Sequence, residues 1–177
     1  HWSQLEGLAL HYWLTGDAMS QKAVGRTADI LASYYRNNAL GSINHPDMES
    51  RIQARSLLGM LLAWETQAPG GGNYTPATWA THLPLMLTQI LQAQNANGAF
   101  LWNGYCGTSI NYMNGILNDV MIRYYERFQA DSRVLASVKA NVDWLWATQW
   151  RSGGSFNYQS AFCARNNSGP SASPDLN

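Results

Sequence analysis

Lysine is scarce in this sequence. Of its eleven basic residues only Lys22 and Lys139 are lysines, and eleven acids balance them to a formal charge of zero. Without a basic excess there is no electrostatic footprint for nucleic acid or for an anionic membrane surface, and neither is expected as a partner. Long apolar runs are missing too: none approaches the ~18 to 20 residues that a helical membrane span needs. Cysteine is limited to Cys106 and Cys163, which permit at most one internal disulfide. There is no phosphate-binding glycine loop, no HExxH, no paired CxxC and no GxSxG elbow, so nothing calls for a cofactor or a metal.

What is present is apolar and aromatic. With 46% hydrophobic residues, 177 residues can fill one core, and one domain is the expectation. Eight Trp and nine Tyr are a high load, much of it outside helical spacing. Such rings either build a large core or stand exposed as stacking platforms for sugars. Few lysines, many Asn and Gln, glycosylation triplets at Asn73 and Asn166, and a possible disulfide lean toward an exported protein, extracellular or periplasmic.

Apolar periodicity near 3.6 recurs over roughly residues 2–15, 18–37, 47–66, 76–95, 108–129 and 132–150, and no two-residue alternation persists, which predicts an all-α fold. Asp17 and Asp131 stand just before helix starts, where a carboxylate satisfies free N–H groups, and Pro76 suits a first helical position. The connections after the second, fourth and sixth helices are long, and in an up-down array of three antiparallel hairpins they share one end, which is expected to be the working face. Two of them repeat each other: Gln94, Gly98 and Phe100 are echoed by Gln149, Gly154 and Phe156, and each copy is followed by a cysteine. A period of roughly 55 residues per helix pair is a repeat architecture. Glycine near a helix end can take the left-handed conformation that stops the helix. A disulfide between the two loops and a pair of buried thiols are both compatible with the spacing.

In the first helix Leu5, Leu8, Ala9, Leu10, Tyr12, Trp13 and Leu14 surround the axis, which predicts an inner helix with neighbours on all sides. Gly7, Gly59 and Gly115 each fall inside an odd-numbered helix, where glycine costs about 1 kcal/mol against alanine unless a close approach compensates. The even helices carry more of the charge. Inner odd helices and outer even ones describe part of an α/α toroid.

The stretches HWSQLEGLALHYWLTGD, RSLLGMLLAWET and NGILNDVMIRYYE resemble the helix pairs of α/α-toroid carbohydrate-active proteins, in particular the rhamnogalacturonan-lyase-like and heparinase-like groups and the related glycoside hydrolases. The resemblance covers most of residues 1–165 and implies a toroid-like helical domain there, with 166–177 as a polar tail that is a linker or an ordered strap. Terpene cyclases and prenyltransferase β-subunits share the Gln-x-x-x-Gly-x-aromatic turn, but the Asp-rich cluster expected of an isoprenoid cyclase is missing. A complete toroid has more helix pairs than three. The resemblance therefore implies a piece of a longer chain, or a chain that covers exposed apolar flanks by self-association.

The chemistry so implied is processing of a carbohydrate, a uronate-containing polysaccharide, by β-elimination or hydrolysis. Elimination needs a cation or amide to neutralise the carboxylate and a group to move the proton, and Arg51, Arg55 and Asn111 suit the first task while Tyr112, His11 and His45 suit the second. Hydrolysis needs two carboxyl groups about 5 to 10 Å apart, and Glu6, Asp47, Glu49 and Asp119 are the candidates, with no spacing rule to choose among them. Trp2, Trp102, Tyr105, Phe156 and Tyr158 are the expected stacking residues. The alternative is a non-catalytic glycan-binding or assembly module. Ordinary structural roles compete: Arg51 can pair with nearby first-turn acids, His11 can be a hydrogen-bonded core histidine, and the stripe Asn111, Asn114, Asn118 can serve only to satisfy loop backbone.

Overall fold

The computed structural model describes residues 5–36, 49–70, 76–102, 104 and 106–172, apart from the side chains at 33–36, 76 and 77. The described chain is mostly helical: α1 (Leu5–Thr15), α2 (Ala18–Arg36), α3 (Ser50–Glu65), α4 (Pro76–Ala93), α5 (Asn111–Arg127) and α6 (Ser132–Thr148). A short antiparallel ribbon follows, β1 (Trp150–Arg151) on β2 (Ser155–Phe156). The sequence pattern runs the sixth helix to residue 150, whereas Trp150 has left the helix to pair with Phe156. Among the described residues no helix is long and apolar enough to cross a membrane.

The chain divides into two compact units. Unit 1 draws on the described residues of His1–Gly41 and Arg55–Gln89, and unit 2 on those of Ser42–Ala54 and Ile90–Asn177. Helix α3 gives its first turn to unit 2 and the rest to unit 1, and α4 gives its last turn to unit 2.

In unit 1, α1 packs on α2 across a tight turn. Gly16 takes φ +72° there, and the Asp17 carboxylate accepts from the Ser20 N–H at 2.8 Å and from the Ser20 hydroxyl at 2.7 Å, capping α2 as its position suggests. These bonds hold the Asp17 carboxyl below its ordinary value of 3.8, the Ser20 hydroxyl contributing most. Two glycines make room for backbone. A Cβ on Gly25 of α2 would stand 2.0 Å from the Pro69 carbonyl oxygen, and one on Gly59 of α3 would stand 3.0 Å from Leu31 Cδ1 and 3.5 Å from Ala28 Cα. Trp79 fills the interior and donates its indole N–H to the Ala68 carbonyl at 3.0 Å. Helix α1 differs from the expected inner helix: only Leu5 and Ala9 are buried, while Leu10, Trp13 and Leu14 are 54%, 48% and 76% exposed.

In unit 2, α5 packs on α6 through a core that includes Met113, Leu117, Met121 and Tyr124 of α5 and Val134 and Trp144 of α6. Asp131 caps α6 by accepting from the Arg133 N–H at 3.0 Å. The two copies of the glutamine–glycine–phenylalanine loop form matching turns. Gln94 bridges Phe100 around Gly98 at φ +92°, and Trp150 pairs with Phe156 around Gly154 at φ +84°, so each glycine occupies the left-handed region expected of it. The cysteines are joined: Cys106 and Cys163 form a disulfide with Cα atoms 5.4 Å apart. The described part of the tail is an ordered strap, with Ser168 bridging Cys163 and Ala172 bridging Asn157.

Candidate functional site

The start of α5 is fixed from outside. Ile110, its N-cap residue, offers no side-chain cap, so the first N–H groups need other partners. The Asn111 N–H donates to the Tyr158 carbonyl at 3.0 Å, and Ser109 and Ser160 exchange backbone and hydroxyl bonds at 2.8 and 2.9 Å. The disulfide ties the same two segments. The loop before α5 and the segment after α6 therefore share one end of unit 2. The first turn of α3 joins them, because Ser50 Oγ donates to Asn114 Oδ1 at 2.8 Å.

Here a cleft of about 210 Å³ opens, lined by Asn111, Tyr112 and Gly115 of α5, Leu145 of α6 and Phe156 of β2. Tyr112 also packs on Tyr158, with ring centroids 5.8 Å apart. On its other side Phe156 meets Trp150 at 4.9 Å and Trp146 at 5.1 Å, both nearly edge to face, and those two indoles lie 4.7 Å apart. Trp146 and Trp150 are 54% and 41% exposed. Both indoles thus reach the cleft only through Phe156 and keep about half of their surface in water.

The polar part of the wall is tightly built. Asn111 is buried, and its Nδ2 donates to Gln149 Oε1 at 3.2 Å and to the Asn157 carbonyl at 2.7 Å. Those two acceptors fix the amide orientation and leave Asn111 Oδ1 as its remaining capacity, an acceptor that is buried without a partner among the described residues. A buried amide oxygen left unbonded costs about 1 to 3 kcal/mol. Gln149 is itself buried and also accepts from Asn157 Nδ2 at 3.4 Å. The polar stripe on α5 is thus interior: Asn114 donates to Ser109 Oγ at 2.7 Å, and Asn118 to Asn141 Oδ1 at 2.9 Å.

Charge stands beside the cleft and not in it. Among the described residues, none that lines the cleft is an Asp, Glu, Lys, Arg or His. Arg51 Nη1 donates to the Tyr112 hydroxyl at 3.4 Å, while its Nε and Nη2 meet Glu49 Oε1 at 2.6 and 2.5 Å. Glu49 is buried, so this pair is an internal one and the guanidinium is largely neutralised where it stands.

Of the residues that the sequence singles out, Arg51, Asn111, Tyr112, Phe156 and Tyr158 come together in unit 2. Trp102 belongs to unit 2 as well, half-buried in a loop where its backbone pairs with Thr108, and it does not line the cleft. Glu6 and His11 belong to α1 in unit 1, both exposed, and Arg55 lies on the unit 1 part of α3. His11 is neither in a core nor at the cleft. Its Nδ1 lies 2.9 Å from Ser20 Oγ, the same hydroxyl that donates to Asp17. Trp2, His45, Asp47 and Tyr105 fall outside the described residues. Sequence reasoning misses Trp146 and Trp150 because they fit the helical period of α6, and it misses Leu145 and Gln149 at the helix end. Among the described residues no three His, Cys, Asp or Glu side chains gather.

Comparison with family models, with curated proteins and with solved structures finds no match.

Proposed function

We propose that this end of unit 2 binds a glycan. The observation that carries the reading is the cleft itself: it is ring-sized, apolar along Tyr112, Leu145 and Phe156, polar at Asn111, and flanked by the exposed Trp146 and Trp150. Sugar rings have C–H faces that pack on aromatic faces and hydroxyls that need fixed polar partners, and a mostly apolar cleft with a few set polar groups is the usual form of such a site. The disulfide suits a protein of an oxidising compartment, outside the cell or in a periplasm. The α/α-toroid arrangement of three hairpins fits the packed pairs α1–α2 and α5–α6, the twice-used loop and the exposed apolar side of α1. An exposed face of that kind is what an incomplete ring leaves for further chain or a second copy to cover.

Calorimetric titration with a panel of neutral and acidic oligosaccharides tests the reading. Wild type is expected to bind at least one of them, and Phe156→Ala to bind it at least tenfold more weakly with its helix content intact. Equal binding by the variant removes the cleft from the reading.

Processing is a second reading, and one contact favours it. Arg51 Nη1 reaches the Tyr112 hydroxyl oxygen, and even shared with Glu49 the guanidinium would favour the phenolate left once that hydroxyl has given its proton to solvent, which could then take the proton beside a uronate carboxylate. Hydrolysis is less favoured at this cleft, because among the described residues none that lines it carries a carboxyl group. Incubation with uronate polysaccharides followed by mass spectrometry separates the cases. Elimination products are lighter by one water than hydrolytic ones, and Tyr112→Phe is expected to abolish them. An intact polymer leaves the binding reading alone.

A further inference from the structure

Three glycines interrupt helices where the sequence suggests close packing, and the structure gives them three different surroundings. Gly59 is packed against Leu31 and Ala28, so its missing side chain makes room for a neighbouring helix. Gly7 and Gly115 have nothing within 4 Å of an added Cβ, so no packing offsets the backbone freedom that glycine brings to a helix interior. Gly115 differs from Gly7 in one respect: it lines the cleft. It stands one turn after Asn111 on the same face of α5, and Tyr112 and Leu145 line the same cleft.

We infer that Gly115 is the floor of a subsite for one neutral sugar ring, its side chain absent so that the ring can lie against the α5 backbone. The inference rests on the glycan reading and narrows it. Size supports a single ring, since about 210 Å³ is below the ~300 to 1,000 Å³ of pockets that enclose drug-sized ligands. Charge supports a neutral one. Among the described residues the lining has no cation to neutralise a carboxylate, and the nearby Arg51 is held by the buried Glu49. Asn111 is buried with both amide hydrogens engaged inside the protein, so it offers the cleft no donor for a carboxylate. In a mixed polysaccharide, this cleft takes the uncharged residue.

The test titrates wild type, Gly115→Ala, Gly115→Leu and Gly7→Ala with neutral β-linked glucan, xylan and mannan oligosaccharides and with oligogalacturonate, alongside thermal unfolding. Gly115→Ala and Gly7→Ala are both expected to raise Tm by about 2 to 4 °C, as relief of an unpacked helical glycine predicts. Binding of a neutral oligosaccharide is expected to fall several-fold in Gly115→Ala and at least tenfold in Gly115→Leu, while Gly7→Ala binds as wild type. Oligogalacturonate is expected to bind at least tenfold more weakly than the best neutral ligand. Neutral binding unchanged in both Gly115 variants, or oligogalacturonate binding as tightly, overturns the inference and leaves the glycan reading standing. Wild type that binds no oligosaccharide of either kind overturns both.

Discussion

In unit 1 the described buried polar side chains are Ser20, Ser56 and Thr66, whereas unit 2 has thirteen, among them Asn111, Asn114, Asn118, Asn141, Gln149 and Gln159. Burying an amide costs free energy unless its bonds are remade, so an apolar interior is the simpler way to hold helices together. Unit 1 takes that way, with Trp79, Leu57, Leu61 and Met86 in its core and glycines where chains must approach. In unit 2 the buried amides bond mostly to irregular backbone and to one another: Asn111 to Gln149 and the Asn157 carbonyl, Asn141 to the Gly98 carbonyl, Gln159 to the Ala161 and Ser168 carbonyls. They hold loops in one conformation, which packing alone does poorly. A surface meant to present particular side chains needs that, and a scaffold does not.

The sharpest way to test the contrast is to remove the strap that unit 2 has and unit 1 lacks. Cys106→Ser with Cys163→Ser opens a link across 57 residues, for which chain entropy gives about 4 kcal/mol. Denaturant unfolding is expected to show a loss of that order, and hydrogen exchange is expected to rise at residues 106–110 and 157–168 more than in α1 and α2. Equal loosening of both units would mean that the loops are not held independently of the scaffold.

Unit 1 is tested by its glycines. Gly25→Ala sets a methyl 2.0 Å from the Pro69 carbonyl oxygen, and overpacking of this kind costs about 1 to 3 kcal/mol. Thermal unfolding is expected to show it, with oligosaccharide titration unchanged. Gln149→Leu is the counterpart in unit 2. It removes the acceptor shared by Asn111 and Asn157, at about 1 to 3 kcal/mol for the groups left unpaired, and is expected to weaken oligosaccharide binding as well. If Gln149→Leu lowers stability alone, the amide network is structural and does not shape the cleft.

Much of the helical skeleton is legible in the sequence, because a 3.6-residue period marks a helix wherever one side faces a core. Some predicted ends match the described helices, while that of α6 overruns by two residues, because the aromatic Trp150 continues the period after the backbone has turned into β1. The paired turns around Gly98 and Gly154 are legible for a local reason, the positive φ that glycine tolerates. What lies across from a residue is not local. Gly59 and Gly115 look alike in sequence, yet one faces Ala28 and Leu31 and the other a cleft. The apolar girdle of α1 predicts neighbours all round, but periodicity records which side chains avoid water and not whether a partner is present to cover them. The site follows the same rule. Asn111, Tyr112, Phe156 and Tyr158 are legible as polar or aromatic residues near helix ends and loops, whereas their convergence depends on Gln149 and on the Cys106–Cys163 bond, whose spacing alone does not fix whether it forms.

The smallest expected effect concerns a device that both units use, an aspartate capping a helix. Asp17 and Asp131 are each held below the ordinary carboxyl value of 3.8, Asp17 chiefly by the Ser20 hydroxyl and Asp131 chiefly by the Arg133 guanidinium. A carboxyl whose folded value is depressed stabilises the protein above its unfolded value, and that contribution is lost as pH falls through the folded one. Asp17→Asn and Asp131→Asn are therefore expected to be slightly less stable than wild type at neutral pH, with the difference closing below pH 3.8 as the wild-type carboxyls take up protons. Salt separates the two. The Asp131–Arg133 pair stands at the surface and is screened, while Asp17 relies on short hydrogen bonds to a neutral partner. Raising the salt concentration is expected to shrink the Asp131→Asn difference and leave that of Asp17→Asn nearly unchanged. An equal response to salt in the two variants would mean that both caps act through charge, and that at this level the two units are built alike.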